Sequence, residues 1–238
     1  MLLLSVALIA LVWFSLPRAG VVLDFSFLIK LRIRVWDGFW MTVGLSVASL
    51  ALSLLIGIVS AVFQSSKILV LRYLFRLYVI IIRGTPMLVQ IYLFYYIVGT
   101  AFGISSRFLS GVLILSVFEG AYIAEIIRGS LLSMDGTQLE AAKAVGFTQK
   151  QTIAYVILPQ LTARTLPALT GQFASIVKDS SLLSVISLIE ITQTAREISA
   201  DYFNLFSTFF ALGALYLILT LPISYFGKRL EQYFLYET

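Results

Sequence analysis

Arg83, Glu119, Glu125, Lys178 and Asp179 interrupt long apolar stretches of this sequence. An ionisable group in hydrocarbon costs a few kcal/mol unless it pairs or faces water, so each of the five needs a partner, a ligand or a water path. Glu119 and Glu125 stand six residues apart, about 600° of helical turn, and therefore point to different faces. Glu125 can pair with Arg128 at i+3. Glu119 lies deeper in its apolar run and is the better candidate for holding an ammonium or a guanidinium, or else for a structural pairing. Lys178 and Asp179 are adjacent, so they either offer a zwitterion both signs of charge or neutralise each other. Ser180 and Ser181 follow with hydroxyls for backbone or ligand.

Arg83 opens the run RGTP. Pro86 removes a backbone donor and Gly84 loosens the chain, which predicts a local break with free carbonyls around Thr85. Arg83 itself either snorkels, pairs with an acid, or lines a path, and Tyr122 is counted with these residues as a candidate lining. Other chemistry is excluded. The chain has no cysteine and no histidine, which removes thiol nucleophiles, imidazole bases and the usual zinc and copper sites. No GxxxxGK[ST] phosphate loop occurs, so ATP cannot be hydrolysed here.

The elements that must position these side chains are membrane helices. Apolar residues make up 60% of the 238 residues, charged ones 12%, and the mean hydropathy is +0.97; a water-soluble domain could not hide that much apolar surface. Apolar runs fall at roughly 2–17, 39–63, 77–98, 108–127, 160–186 and 205–227, each near the 20 or so residues that cross a bilayer. Six spans result, the first read as a short helix because the basic flank and cleavage site of a signal peptide are missing. Lys67, Arg72 and Arg76, then Arg128, Lys143, Lys150 and Arg164, then Lys228 and Arg229 lie on alternate segments that share a side. That side should be the cytoplasm, and it accounts for the net charge of +5 without nucleic acid. Residues 18–37 dissent: Arg18, Lys30, Arg32 and Arg34 fall on the outer face, which predicts a short basic helix lying in the interface. In the second span Ser49, Ser53, Gly57 and Ala61 recur every four residues and predict a face that another helix approaches closely.

The longest polar interval, from Arg128 to Gln160, lies on the basic side between spans four and five. Glu140, Ala141, Ala142 and Ala144 favour helix, Gly146 breaks it, and a second helical stretch is predicted from Lys150 to Leu158, ending before Pro159. Two alanines side by side offer a smooth surface for another protein, and Glu140 offers a carboxylate to the turn or to a partner. This is a docking element.

EAAKAVG at 140–146 followed by VILP at 156–159 resembles the EAAxxxG…IxLP loop of ABC importer permeases, with Val156 in the isoleucine place. GFWMTVGLSVASL at 38–50, RGTPMLVQIYLFYY at 83–96, AYIAEIIRGSLLSMDGTQLEAAKAVG at 121–146 and VKDSSLLSVI at 177–186 resemble the polar amino-acid branch of that family. The resemblance implies an all-α polytopic fold: a five-helix type I permease core plus one extra N-terminal helix, with a cytoplasmic coupling helix. It implies a permease domain at 38–230 with its coupling loop at about 129–159, preceded by an N-terminal helix and basic segment at 1–37 and followed by a cytoplasmic tail at 231–238. Glu140, Ala141, Ala142, Gly146, Leu158 and Pro159 would then meet a cytoplasmic ATPase dimer, and ATP and Mg would reside on that partner. A second permease copy or a related permease, a periplasmic or lipid-anchored solute-binding protein, an amino-acid substrate and a bacterial inner-membrane location complete the implied system. An ion-coupled secondary amino-acid transporter is the alternative, since it too buries carboxylates in a helical bundle.

Overall fold

The computed structural model describes residues 14–18 and 20–235. They are nearly all helical. Of the first predicted span, residues 14–17 are helical and the rest lies outside the described residues. The elements in order are α1 (Ser26–Lys30), α2 (Arg32–Gln64), α3 (Leu69–Gly84), α4 (Met87–Tyr92) running on into a π-helical turn (Leu93–Gly99), and α5 (Arg107–Leu132). Then come α6 (Gly136–Ala144), α7 (Gln149–Thr152) with a π turn (Ile153–Ile157), α8 (Leu158–Asp179), a 3₁₀ segment (Ser180–Ile186), α9 (Ile191–Tyr202) and α10 (Leu205–Leu235).

Three of the described helices, α2, α5 and α10, are long and apolar enough to cross a membrane. The predicted span at 77–98 is not one straight helix. α3 and the α4–π unit bend by 111° at Thr85–Pro86, where Pro86 has no N–H to continue the ladder and Thr85 is extended. The predicted fifth span divides as well: α8 ends at Asp179 and the chain tightens into 3₁₀ turns to Ile186.

The bundle is organised around α2 and α5, which run parallel. Ser116 Oγ on α5 donates to the Ser49 carbonyl at 3.2 Å, and farther along the same two helices Gly57 meets Ile123 and Ala124. A Cβ on Gly57 would lie 2.4 Å from Ile123 Cγ2, and one on Gly120 would lie 2.7 Å from Ile56 Cγ2. The two glycines are reciprocal notches, each admitting the other helix's isoleucine, as the four-residue repeat of small side chains predicts. Leu45, Ile91, Leu115, Ala121, Ile176 and Leu183 bury their side chains against this pair and join α4, α8 and the 3₁₀ segment to it. Gly57→Val is therefore expected to force the helices apart at a cost of roughly 1–3 kcal/mol, seen as a fall in the thermal midpoint of the detergent-purified protein.

The basic segment near the N-terminus is resolved differently from the expectation of an interfacial helix over 18–37. Only α1 is short. Arg32, Arg34 and Asp37 already belong to α2, which is continuous to Gln64. Arg34 is clasped by two acids of α9, Glu197 at 2.7 Å and Asp201 at 3.0 Å, so part of the positive charge assigned to the outer side is neutralised in place. Asp24 adds a second fastening: its N–H donates to Ser207 Oγ at 2.9 Å and its carbonyl accepts from Asn204. The Arg34 guanidinium holds the Glu197 carboxyl below its ordinary 4.5. A depressed folded value means the clasp contributes above 4.5 and is lost as pH falls through the folded value. Both partners are about a third exposed, so Arg34→Ala is expected to cost only ~0–1 kcal/mol globally. It should nonetheless free the segment ahead of α2, read as faster trypsin cleavage at Lys30 and Arg32.

Candidate functional site

Two groups of candidate residues assemble in different places, as the helical offset of Glu119 and Glu125 predicts. Glu119 is fully buried on α5. It accepts a hydrogen bond from Gln172 Nε2 on α8, and Asp179 at the end of α8 interacts electrostatically with its carboxyl. Glu119 Oε1 receives no hydrogen bond from the described residues. Two acids and an amide thus converge between α5 and α8, a setting that is costly for two bare carboxylates and favourable once a cation or ammonium enters.

Lys178 does not share that site. Adjacent helical residues point about 100° apart; Lys178 is exposed, and among the described residues no ion pair joins it to Asp179. Ser180 is buried and donates to the Val177 carbonyl at 2.8 Å, closing the end of α8. It also interacts with Tyr216 on α10. Ser181 is half-buried beside it.

The second group is Arg83, Tyr122, Glu125 and Arg128. Arg128 forks onto Glu125 with Nε at 3.1 Å and a second donor from Nη2, the expected i+3 pair. Arg83 lies 3.7 Å from the same carboxylate and 5.3 Å above the Tyr122 ring. Arg83 and Tyr122 therefore tie α3 to α5. The break beside Arg83 is closed by a residue that sequence reasoning missed. Gln90 Nε2 donates to the Ile82 carbonyl at 2.7 Å, the Thr85 carbonyl at 3.1 Å and Thr85 Oγ1 at 2.7 Å, which satisfies the free carbonyls predicted at RGTP. Gln172, Gln90 and Glu190 share one legible signal: each is a strongly polar residue in or beside an apolar run. Glu190 is fully buried and caps α9, accepting from the Thr192 and Gln193 N–H groups at 2.7 Å each and from Tyr216.

The polar loop folds as helix, glycine turn, helix. Asp135 caps α6 by accepting from the Thr137 N–H, and Thr148 with Gln151 forms a capping box at α7. Gly146 sits at φ +80°, and the N–H groups of Gly146 and Phe147 return to the Lys143 and Ala142 carbonyls at 3.0 Å each, the αL ending that glycine adopts without strain. Glu140 and Ala141 are exposed; Ala142, expected beside Ala141 on the docking surface, is 5% exposed and packed inside the loop. The second helical stretch does not stop before Pro159. It continues through Leu158 and Pro159 into α8, because the wide π turn at Ile153–Ile157 accommodates a proline that lacks an N–H and crowds the preceding turn. Val145, Phe147, Ile153 and Tyr155 stand exposed around the turn.

Residues 53–235 match the model of the binding-protein-dependent transport system inner membrane component. The chain belongs to this family. The permease is 36% identical over 198 residues to the glutamine transport system permease protein GlnP of Escherichia coli K12, an alignment covering 82% of the permease and 90% of GlnP. It is 34% identical over 200 residues to the probable glutamine ABC transporter permease protein GlnM of Bacillus subtilis, covering 82% and 93% of the two chains. The L-cystine permease protein TcyB of B. subtilis is 38% identical over 164 residues, covering 68% and 70%. Among solved structures, an amino acid ABC transporter with histidines superposes at a TM-score of 0.82 with 32% identity, covering 89% of the permease and 99% of that chain. A MetNI methionine transporter in an inward-facing form shares the fold at a TM-score of 0.69 and 20% identity. The permease is thus an all-helical, multi-pass membrane subunit of the ABC importer type.

Proposed function

We propose that the permease forms the inward path for a polar amino acid and couples that path to a separate ATPase through α6, the Gly146 turn and α7. The observation that carries the coupling reading is the loop itself: a capped helix–turn–helix that exposes Glu140, Ala141, Val145, Phe147 and Tyr155, with no element among the described residues covering them. Capped helix ends transmit force, and exposed aliphatic and aromatic side chains supply the apolar area that a protein groove buries. ATP and magnesium belong on that ATPase partner. A second permease chain completes the pathway, and a solute-binding protein delivers cargo on the opposite side. The loop then faces the cytoplasm of a bacterial inner membrane.

Solute class follows from buried Glu119 and half-buried Asp179. An amino acid brings an α-ammonium, and a cationic one brings a second positive group, which Glu119 and Asp179 can share while Gln172 orients the Glu119 carboxyl. Relatives named for glutamine and cystine support a polar amino acid, and the two carboxylates favour a cationic member. The test is competition in proteoliposomes holding the permease, its ATPase and its binding protein: labelled arginine uptake should be displaced by lysine, ornithine or histidine more effectively than by glutamate or leucine. Equal displacement by all five sinks the cationic reading, and the absence of ATP-dependent uptake of any labelled amino acid sinks the amino-acid reading.

A further inference from the structure

A docked ATPase moves α6, but the solute groups lie on α5 and α8, so displacement must cross from the loop into both helices. The covalent route from α6 to α8 passes through the Gly146 turn and the π turn. A second route is built from side chains. Arg164, in the second turn of α8, donates from Nη1 to the Ser133 carbonyl at 2.6 Å and to Ser133 Oγ at 2.8 Å. Ser133 is the C-cap of α5 and stands two residues before Asp135, the N-cap of α6. Carbonyls at a helix C-terminus carry partial negative charge and lack partners within the helix, so a guanidinium there makes a strong, directional bond. Gln160, one turn before Arg164 and on the same face, donates from Nε2 to Gln138 Oε1 in the first turn of α6.

One face of α8 thus holds both the end of α5 and the start of α6. About 22 Å farther along α8, at 1.5 Å per residue, Asp179 meets Glu119 of α5. Among the described residues, no other side-chain hydrogen bonds or ion pairs link the loop to both solute-bearing helices. We propose that Arg164, assisted by Gln160, is the joint that transmits displacement of the coupling helix to the α5–α8 pair. Arg164 is a positioning residue and touches neither solute nor ATPase. The inference rests on the reading of the loop as the ATPase-docking element.

The experiment uses the assembled complex in proteoliposomes and measures retained ATPase, ATP hydrolysed and solute taken up. Arg164→Met keeps the apolar stem and removes the donors. It should retain the ATPase and its basal hydrolysis, while solute moved per ATP falls about tenfold, the scale of one charge-assisted hydrogen bond. Arg164→Lys, which can still reach one acceptor, should recover part of the ratio. If Arg164→Met does not assemble, the milder pair Ser133→Ala with Gln160→Met reads the same ratio and should lower it severalfold. An unchanged ratio in whichever of these variants assembles overturns the proposal, and so does a loss of hydrolysis and uptake in parallel. Gly146→Val separates the two levels. If it loses transport while Arg164→Met keeps the wild-type ratio, only the joint is wrong; if Gly146→Val transports normally, the docking reading has failed.

Discussion

Gly146→Val is expected to abolish ATP-driven uptake while leaving the permease inserted and monodisperse. The residue lies at φ +80° with open space where a Cβ would go, so the Cβ itself meets no neighbour and the cost arises from the backbone conformation. A left-handed backbone costs an ordinary residue roughly 1–2 kcal/mol, more for a β-branched one. A penalty of 1–2 kcal/mol shifts a local equilibrium by about 5–30-fold, enough to swing α7 away from α6 without unfolding the bundle. Gly146→Asn is the matched control, since asparagine tolerates this region far better, and it should retain a large share of uptake. A valine variant with wild-type uptake would remove the turn from the mechanism.

The loop shows how far composition and spacing carry. EAAKAVG specifies helix and glycine turn, because helix propensity and the αL glycine ending are local effects. Pro159 is the instructive miss. Sequence rules end a helix there, but a π turn one step earlier lets the chain continue into α8, and that continuity is what places Gln160 and Arg164 under the loop. The small-residue face of α2 was legible for the same local reason, while its partner, the notch at Gly120, was not: pairing α2 with α5 in parallel is a long-range event. The RGTP break was legible as missing donors. Its repair by Gln90, eight residues from the Ile82 carbonyl, needed a 111° bend that no periodicity encodes. The dissenting basic segment found its answer in Glu197 and Asp201, more than 160 residues away.

Glu119→Gln should reduce uptake of the transported amino acid about tenfold or more, the loss of a charged hydrogen-bond partner in a dehydrated site. The substitution keeps shape and volume, and its amide can still meet Gln172, so expression and ATPase binding should be unchanged. The fall should be greatest for a solute with a cationic side chain and smaller for a neutral zwitterion, because the former loses the attraction of two acids for two positive groups. Asp179→Asn should act in the same direction. Uptake of every solute at the wild-type rate in both variants would confine Glu119 to a structural pairing with Gln172. A specificity change without loss of rate would place the pair at solute selection.

The central claim is that this chain moves solute only when a partner hydrolyses ATP. It is tested most directly in proteoliposomes with membrane potential and ion gradients collapsed, comparing uptake with and without ATP in the presence of ATPase and binding protein. Accumulation that requires ATP, the ATPase and the binding protein together is the expected result. Accumulation by the permease alone, driven by an imposed proton or sodium gradient, would contradict it and return the secondary transporter.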